Sequence, residues 1–163
     1  MNQGFVVYET QFGNIRMEYE EDQIILLKKV HTEVTDQGIA TKFTDKVYKQ
    51  LLEYFNGKRK VFDFPYEMKG TEFQKKVWKA LCDIPYGETR TYKDIAVAVG
   101  NSKASRAVGM ANNKNPMMVV VPCHRVIGTN GKLVGYAGGV DMKEKLLEME
   151  KKINEMDNKF IKN

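Results

Sequence analysis

Short runs of β-branched and aromatic residues, separated by glycine and acidic residues, fill the N-terminal part of the chain. This punctuation is typical of a β-meander, and it predicts the strands Phe5–Thr10, Ile15–Tyr19 and Ile24–Val30. We expect the connecting turns at Gly13-Asn14 and at Glu21-Asp22. An antiparallel sheet is therefore predicted to open the chain.

The apolar spacing then changes from a strand pattern to a helical one. Apolar side chains recur every four residues between Thr41 and Phe55, which predicts an amphipathic helix that Asn56-Gly57 ends. The following segment, Lys58–Lys69, mixes charge, aromatic residues and a proline, and we expect an extended linker there. The predicted domain boundary lies in this linker, between residues 68 and 69.

Capping signals mark three helices in the second half of the chain. Thr71 and Gln74 predict a capping box at the start of a helix that carries Phe73, Val77 and Leu81. Thr91 is the predicted cap of Tyr92–Val99, and Ser102 is that of Ala104–Asn112. Gly100-Asn101 joins the last two helices, which is typical of a helix-turn-helix. The second of these helices is rich in small residues and carries Arg106, so it either packs tightly against another helix or contacts nucleic acid.

Shorter signals follow this pair of helices. Met117–Val121 is expected to form a short buried strand, and Asn130-Gly131 between two apolar pairs predicts a hairpin or wing. Asp141 and Glu144 open a final predicted helix, and the tail from residue 154 is expected to fray.

Charge is distributed unevenly along the sequence. Residues 1–68 hold 9 Lys/Arg and 11 Asp/Glu, a net of −2, whereas residues 69–132 hold 11 and 4, a net of +7. A basic surface of this kind suits a polyanion such as DNA, and a solvated Lys-rich face is the alternative.

Several classes of protein are disfavoured by the sequence. The N-terminus lacks the pattern of a signal peptide, and no apolar run approaches the roughly 20 residues that span a bilayer. We therefore expect Cys82 and Cys123 to be free thiols in a reducing cytoplasm. The spacing of these cysteines with His31 and His124 matches no zinc site, and no metal is expected.

The stretch VVVPCHRVIGTNG, residues 119–131, places Cys123 directly before His124. A cysteine is nucleophilic as the thiolate, and its ordinary pKa of about 8.5 means that a nearby base can activate it. Neighbours in a strand point to opposite faces, so the chain must turn near Pro122 if both side chains are to face one cavity. A small buried hydrophobe is the alternative role for Cys123, and it is the role expected for Cys82.

The motif PCHRVIG is similar to the active-site motif of the methylated-DNA–protein-cysteine methyltransferases, also called 6-O-alkylguanine-DNA alkyltransferases. The stretches GTEFQKKVW, IPYGETRTYKDIA, SRAVGMANNKNP, GYAGG and KEKLLEME also resemble this family in order and spacing, over residues 70–150. The resemblance implies a ribonuclease H-like α/β domain at residues 1–68 and a mainly α, winged helix-turn-helix domain at residues 69–153. Residues 154–163 would form the tail.

The resemblance also implies a reaction, the repair of DNA by direct reversal. An alkyl group would pass from oxygen-6 of guanine, and by extension from oxygen-4 of thymine, to Cys123, once per molecule and without a cofactor. His124 would deprotonate Cys123 through a water, and Glu150 would orient His124. Tyr92 would donate a hydrogen bond or a proton to the guanine ring nitrogen, and Asn115 would link the recognition helix to the active-site strand.

Double-stranded DNA containing an alkylated guanine is the partner that the resemblance implies. The damaged base would be flipped into a pocket lined by Tyr92, Asn112, Val126, Tyr136 and Ala137. Arg106 would fill the gap that the base leaves in the duplex. The other residues expected to contact DNA are Thr91, Lys93, Ala104, Ser105, Gly109, Asn113 and Thr129. We expect a monomeric, cytoplasmic protein that does not bind membranes.

Some positions depart from the family's usual pattern. Lys93, Asn113, Lys114 and Ala137 differ from the residues common in the family, which bears on substrate range and DNA affinity.

Two other functions are alternatives to alkyl transfer. A non-catalytic protein that binds alkylguanine and recruits repair factors is the main one, but such proteins replace the nucleophile, and Cys123 is present. A winged-helix regulator with a redox-sensing cysteine would need a dimer interface that the sequence does not indicate.

Overall fold

The computed structural model describes residues 2–161 of the chain. The chain divides into two compact units. The first unit comprises Met1–Lys69 and Pro116–Val120, and the second comprises Gly70–Asn115 and Val121–Asn163. The first division therefore falls one residue after the predicted boundary, but the return of residues 116–120 to the first unit was not predicted.

The first unit opens with a three-stranded antiparallel sheet in the order β1-β2-β3. Its strands are β1 (Gln3–Thr10), β2 (Gly13–Glu20) and β3 (Gln23–Lys29), so the predicted meander is confirmed. The predicted turn at Gly13-Asn14 is wrong, because Thr10 already pairs with Gly13 and the turn consists of residues 11–12. The hydroxyl of Thr10 closes this turn by donating a hydrogen bond to the Gly13 carbonyl at 2.8 Å.

Helix α1 (Lys42–Phe55) follows the sheet in the first unit and confirms the predicted amphipathic helix. Thr41 caps it, and Asn56 ends it. The segment 58–69, predicted as a linker, instead belongs to this unit and is bonded to its neighbours. Ile24 donates a backbone hydrogen bond to Pro65 and accepts one from Glu67. These bonds form because β3 is an edge strand, whose outer backbone groups are not paired within the sheet.

The second unit is built from four α-helices within the described residues. They are α2 (Glu72–Cys82), α3 (Tyr92–Ala98), α4 (Ser105–Asn113) and α5 (Val140–Ile161). Capping boxes at Thr71 and Thr91 start α2 and α3, as predicted. The predicted cap at Ser102 is wrong, because Ala104 occupies the cap position of α4 without a side-chain hydrogen bond. Asn101 accounts for the difference, since it closes a turn over residues 101–104.

Short backbone segments hold the loops of the second unit together. Strands β4 (Arg90–Thr91) and β5 (Val126–Ile127) pair in parallel, which was not predicted because each has two residues. The turn at Asn130-Gly131 is present, since Gly128 accepts from Gly131 and donates to Lys132. The second strand of the predicted hairpin is not formed in the described residues 132–139.

The predicted strand Met117–Val121 is wrong as well. Met117 makes an isolated bridge to Leu27 within the first unit. Val119 then adopts a φ of 73°, which a strand cannot continue through. The left-handed conformation is strained for a β-branched residue, so the segment turns where its apolar composition predicts extension.

Helix α5 is longer than predicted. It continues through Ile161 and so includes residues 154–161, for which fraying was predicted. Lys151, Glu155 and Lys159 lie four residues apart, and charge pairs at this spacing support a helix. Residues 162–163 of the predicted tail lie outside the described residues. Within the described chain, none of the helices has the length and apolar character that crossing a bilayer requires.

Candidate active site

The PCHR motif forms a single 3-10 turn, Cys123–Arg125, which we call the PCHR turn. Pro122 precedes it with φ −81° and ψ 63°, so the chain bends where the sequence predicts. All three side chains of the turn are buried, and that of His124 is 0% exposed. The turn therefore carries a thiol, an imidazole and a guanidinium into the interior of the second unit.

His124 pairs with Glu150, which lies on α5. The distance between His124 Nε2 and Glu150 Oε2 is 2.6 Å, and both side chains are 0% exposed. Burial opposes ionisation of Glu150, but His124 and Arg125 outweigh this effect and lower its pKa to about 2. A carboxylate can only accept hydrogen bonds, so the proton of the neutral imidazole lies on Nε2.

The other ring nitrogen of His124 is therefore a hydrogen-bond acceptor. Burial lowers the pKa of His124, despite the opposing charge of Glu150, so the imidazole is neutral at pH 7. Among the described residues, Nδ1 of His124 is buried and has no hydrogen-bond partner. This atom can accept a proton, and Glu150 can stabilise the imidazolium that results.

Arg125 completes this buried cluster, although the sequence analysis did not single it out. Its Nε donates to Glu150 Oε1 at 2.8 Å, and its Nη1 donates to the Ile84 carbonyl at 2.8 Å. An arginine is usually exposed, so the sequence gives little reason to place it inside. Its position follows from the fold, because the PCHR turn directs it toward a buried carboxylate.

Cys123 is a buried thiol in the free protein. Burial raises its pKa to about 11, so it is protonated at neutral pH. A hydrogen bond from the Asn115 side chain and the charge of Lys143 act in the opposite direction. Asn115 also donates to the Val121 carbonyl at 2.8 Å, so it contacts both ends of the segment that holds the thiol.

Lys143 is a second buried cation that the sequence analysis missed. Its side chain is fully buried on α5, and Nζ donates to the carbonyls of Val126 and Val134, the latter at 3.0 Å. Burial lowers the pKa of this ammonium to about 8, while interaction with Cys123 opposes the decrease. Lys143 shares the buried face of α5 with Leu146 and Glu150, and this spacing is the sequence signal that could have identified it.

Four of the five residues predicted to form the base pocket lie around this centre. Asn112 Nδ2 donates to the Cys123 carbonyl at 3.4 Å, and the Val126 carbonyl accepts from Lys143. Tyr92 donates from its hydroxyl to the Val134 carbonyl at 3.1 Å. Tyr136 is buried with its ring edge-on to that of His124, at a centroid distance of 6.4 Å.

Two glycines allow these rings to approach. A Cβ at Gly138 would lie 2.5 Å from the ring of Tyr136, and one at Gly135 would lie 3.3 Å from the hydroxyl of Tyr92. Gly135 also has a φ of 70°, which favours glycine. Ala137, the fifth predicted pocket residue, is exposed.

The residues predicted to contact DNA differ in exposure. Lys93, Arg106, Asn113 and Thr129 are exposed, whereas Thr91, Ala104, Ser105 and Gly109 are partly buried. Thr91 is engaged as the cap of α3. No acidic residue occurs between Asp94 and Asp141, a stretch that contains α4 and the PCHR turn. The exposed side of α4 therefore carries the positive charge of Arg106, and the helix has no carboxylate that would repel a polyanion.

A buried cysteine next to a histidine–carboxylate pair, in the same unit as two consecutive short helices, indicates a class of proteins that combine a cysteine nucleophile with a nucleic-acid-binding scaffold. Comparison with known proteins narrows this class. A family model described as "6-O-methylguanine DNA methyltransferase, DNA binding domain" matches residues 72–152.

Similar proteins extend the match to most of the chain. The methylated-DNA–protein-cysteine methyltransferase of Methanosarcina acetivorans is 49% identical over 151 residues, covering 90% of this chain and 97% of that protein. The constitutive enzyme of that name from Bacillus subtilis is 45% identical over 156 residues, covering 90% and 94%. The chain belongs to the methylated-DNA–protein-cysteine methyltransferase family.

Solved structures agree with this assignment. The crystal structure of the Mycobacterium tuberculosis O6-methylguanine methyltransferase has a TM-score of 0.84 and 39% identity, covering 93% of this chain and 94% of that one. The M. tuberculosis OGT in complex with DNA has a TM-score of 0.83 and 41% identity, covering 91% and 93%. The fold is thus the mixed α/β fold of these proteins.

The buried charge of Glu150 makes stability depend on pH in a defined way. Its pKa is lowered from 4.5 to about 2 on folding, so it stabilises the protein above pH 4.5 and loses this effect as the pH falls toward 2. We expect Glu150→Gln to reduce the free energy of unfolding at pH 7 by about 3 kcal/mol, since Arg125 loses a buried partner. Urea unfolding at pH 7 and at pH 3 measures this.

The exposed Glu148 on the same helix provides the control for that experiment. Glu148→Gln should change the free energy of unfolding by less than about 0.5 kcal/mol at either pH. The difference between Glu150→Gln and the wild type should shrink at pH 3. A difference that stays constant between the two pH values would contradict the assigned charge of Glu150.

The charge of Lys143 should favour the Cys123 thiolate near pH 7, below the pKa of about 8 at which the ammonium loses its proton. Lys143→Met removes this charge, so we expect Cys123 to react more slowly with iodoacetamide at pH 7 than in the wild type. Peptide mass spectrometry, which separates Cys123 from the exposed Cys82, measures the rate. Lys145→Met, at an exposed position on the same helix, is the control and should leave the rate unchanged. An unchanged rate in Lys143→Met would argue that the ammonium serves packing alone.

Proposed function

We propose that this protein repairs DNA by direct reversal, transferring the alkyl group from oxygen-6 of guanine to Cys123 in a reaction that each molecule performs once. The proposal rests on one observation. Cys123 is buried directly before His124 in the chain, and Glu150 holds the Nε2 atom of His124. Family membership supports the reaction type. Oxygen-4 of thymine is a second site that the same chemistry would accept.

The first step of the proposed reaction is activation of the thiol. With a pKa of about 11, the Cys123 thiol needs a base at neutral pH. His124 Nδ1 is the acceptor, reached through a water, and Glu150 stabilises the resulting imidazolium. The Asn115 hydrogen bond and the Lys143 charge stabilise the thiolate.

The second step is an in-line displacement at the alkyl carbon. A bond forms between Cys123 Sγ and this carbon as its bond to guanine oxygen-6 breaks, and the electron pair remains on the base. The hydroxyl of Tyr92 donates a hydrogen bond or a proton to the ring nitrogen of the departing guanine, so the base leaves neutral. The proton that His124 took from the thiol balances the one that Tyr92 gives up. Its hydroxyl donates to the Val134 carbonyl in the free protein, so it exchanges this partner for the base. The thioether on Cys123 is stable, which makes the transfer irreversible, and the reaction needs no cofactor or metal.

The DNA-binding part of the proposal rests on α3 and α4. These helices act as a helix-turn-helix in which α4 enters the minor groove, and the turn at Asn130-Gly131 acts as the wing. The base is flipped out of the duplex, which costs a few kcal/mol, and Arg106 occupies the gap. Exposure of Arg106 and the absence of acidic residues between Asp94 and Asp141 support this role.

The remaining DNA contacts and the setting of the protein are proposed on the resemblance. The other contacts come from Thr91, Lys93, Ala104, Ser105, Gly109, Asn113 and Thr129. Asn112, Val126, Tyr136 and Ala137 contact the flipped base. The N-terminal domain is ribonuclease H-like, and the protein acts as a monomer in the cytoplasm on duplex DNA that contains an alkylated guanine.

The acceptor role of Cys123 predicts a change in mass. Incubation with excess duplex DNA containing 6-O-methylguanine should add one methyl group per molecule, and peptide mapping should locate it on Cys123. Cys82→Ser, which removes the exposed second thiol, should gain the methyl group as the wild type does. Cys123→Ser should gain none and should still bind the DNA. Tight binding without any mass gain in the wild type would instead favour the non-catalytic alternative.

The role of Arg106 predicts a difference between two substrates. Arg106→Ala should slow transfer from duplex DNA by about tenfold or more, since flipping loses its stabilising side chain. Transfer from the free base 6-O-benzylguanine should be unchanged, because that substrate needs no flipping. Single-turnover rates on both substrates test this. Equal losses on the two substrates would contradict a role in flipping.

A further inference from the structure

Met110 on α4 has an apolar side chain that is 70% exposed. Val108, Ala111 and Asn112 of the same helix are buried, so α4 has a distinct inner side. Met110 lies on the opposite side, four residues after the exposed Arg106. Residues four apart on a helix are surface neighbours, and the two side chains therefore share one exposed face.

The residues around Met110 favour a partner that has both anionic groups and less polar surface for the methionine to contact. Lys103, Arg106 and Lys114 flank it in sequence, and no Asp or Glu occurs between residues 94 and 141. A long apolar side chain adds nothing to phosphate binding, which cations supply. Sugars and base edges in the minor groove are the part of DNA that such a side chain can contact, and proteins insert methionine between base steps in this way.

We infer that Met110 is a second wedge, entering the minor groove beside Arg106 and packing against a base step close to the flipped nucleotide. This inference rests on the proposed function and concerns how α4 engages DNA. Four residues of helix advance about 6 Å, and base pairs are spaced about 3.4 Å apart. Where α4 follows the groove, Met110 reaches about two base pairs from the gap that Arg106 fills.

The geometry also gives Met110 a defined effect on sequence preference. Wedge insertion is easiest at flexible pyrimidine–purine steps, where unstacking costs least. The unbranched thioether adapts to irregular surfaces, so it can pack at steps of different shape. The wedge therefore makes the transfer rate depend on the base step near the lesion, without a hydrogen bond to any base.

Methionine oxidation provides the direct test. The Cys123→Ser protein is treated with dilute peroxide, free or saturated with duplex DNA carrying 6-O-methylguanine, and sulfoxides are located by peptide mass spectrometry. Met156 on α5 is 51% exposed and serves as the internal control. We expect DNA to slow oxidation of Met110 at least about fivefold and to leave Met156 unchanged. Equal oxidation of Met110 with and without DNA, or equal protection of both residues, would overturn the inference.

A substitution tests the consequence for the reaction. Met110→Ala should slow transfer from duplex DNA about fivefold, with the larger loss where a stiff G·C-rich step flanks the lesion. Met156→Ala, the same substitution at a 51% exposed position on α5, is the matched control and should transfer from duplex DNA at the wild-type rate. Transfer from free 6-O-benzylguanine should be unchanged in both variants. Wild-type rates in Met110→Ala would refute the wedge alone, whereas absence of any transfer by the wild type would refute the proposed function.

Discussion

The buried carboxylate of Glu150 is the constraint on which the rest of the active site depends. An ion with a fully buried side chain is tolerated in a protein only when its partners replace the lost water. Here His124 and Arg125 do so, and Arg125 continues to the carbonyl of Ile84, just beyond α2. One buried charge thus joins α5, the PCHR turn and the end of α2. It also sets the tautomer of the His124 imidazole. The interaction that links these elements therefore leaves Nδ1 as the nitrogen that can accept a proton.

Burial has opposite effects on the two groups of the proposed proton relay. It raises the pKa of the Cys123 thiol to about 11 and lowers that of the His124 imidazole. Both groups are therefore neutral in the free protein. A neutral, buried thiol reacts slowly with electrophiles in solution, because the thiolate is the nucleophile. For a protein whose proposed reaction uses each molecule once, a slowly reacting thiol limits loss of the acceptor to other electrophiles.

The sequence predicts those features of the structure that neighbouring residues determine, and it misses those that distant residues determine. Caps at Thr71 and Thr91 were predictable because the capping residues contact their own helices. The strand predicted at Met117–Val121 failed because a turn at Val119 is set by surrounding structure and not by composition. Lys143 and Arg125 were missed for a related reason. A cation is assigned to the surface unless its buried acceptors are known, and those acceptors come from distant parts of the chain.

From its sequence, the small-residue helix α4 could either pack tightly or contact nucleic acid. In the structure its two faces allow both roles. On the inner face, Ala111 accepts a hydrogen bond from the indole of Trp78 at 2.8 Å, and Asn112 reaches the Cys123 carbonyl. Arg106 lies on the outer face. The helix that we propose to enter the minor groove is thus bonded to the backbone of the nucleophile. Asn112 on the inner face and Arg106 on the outer face thus place both contacts on one short helix.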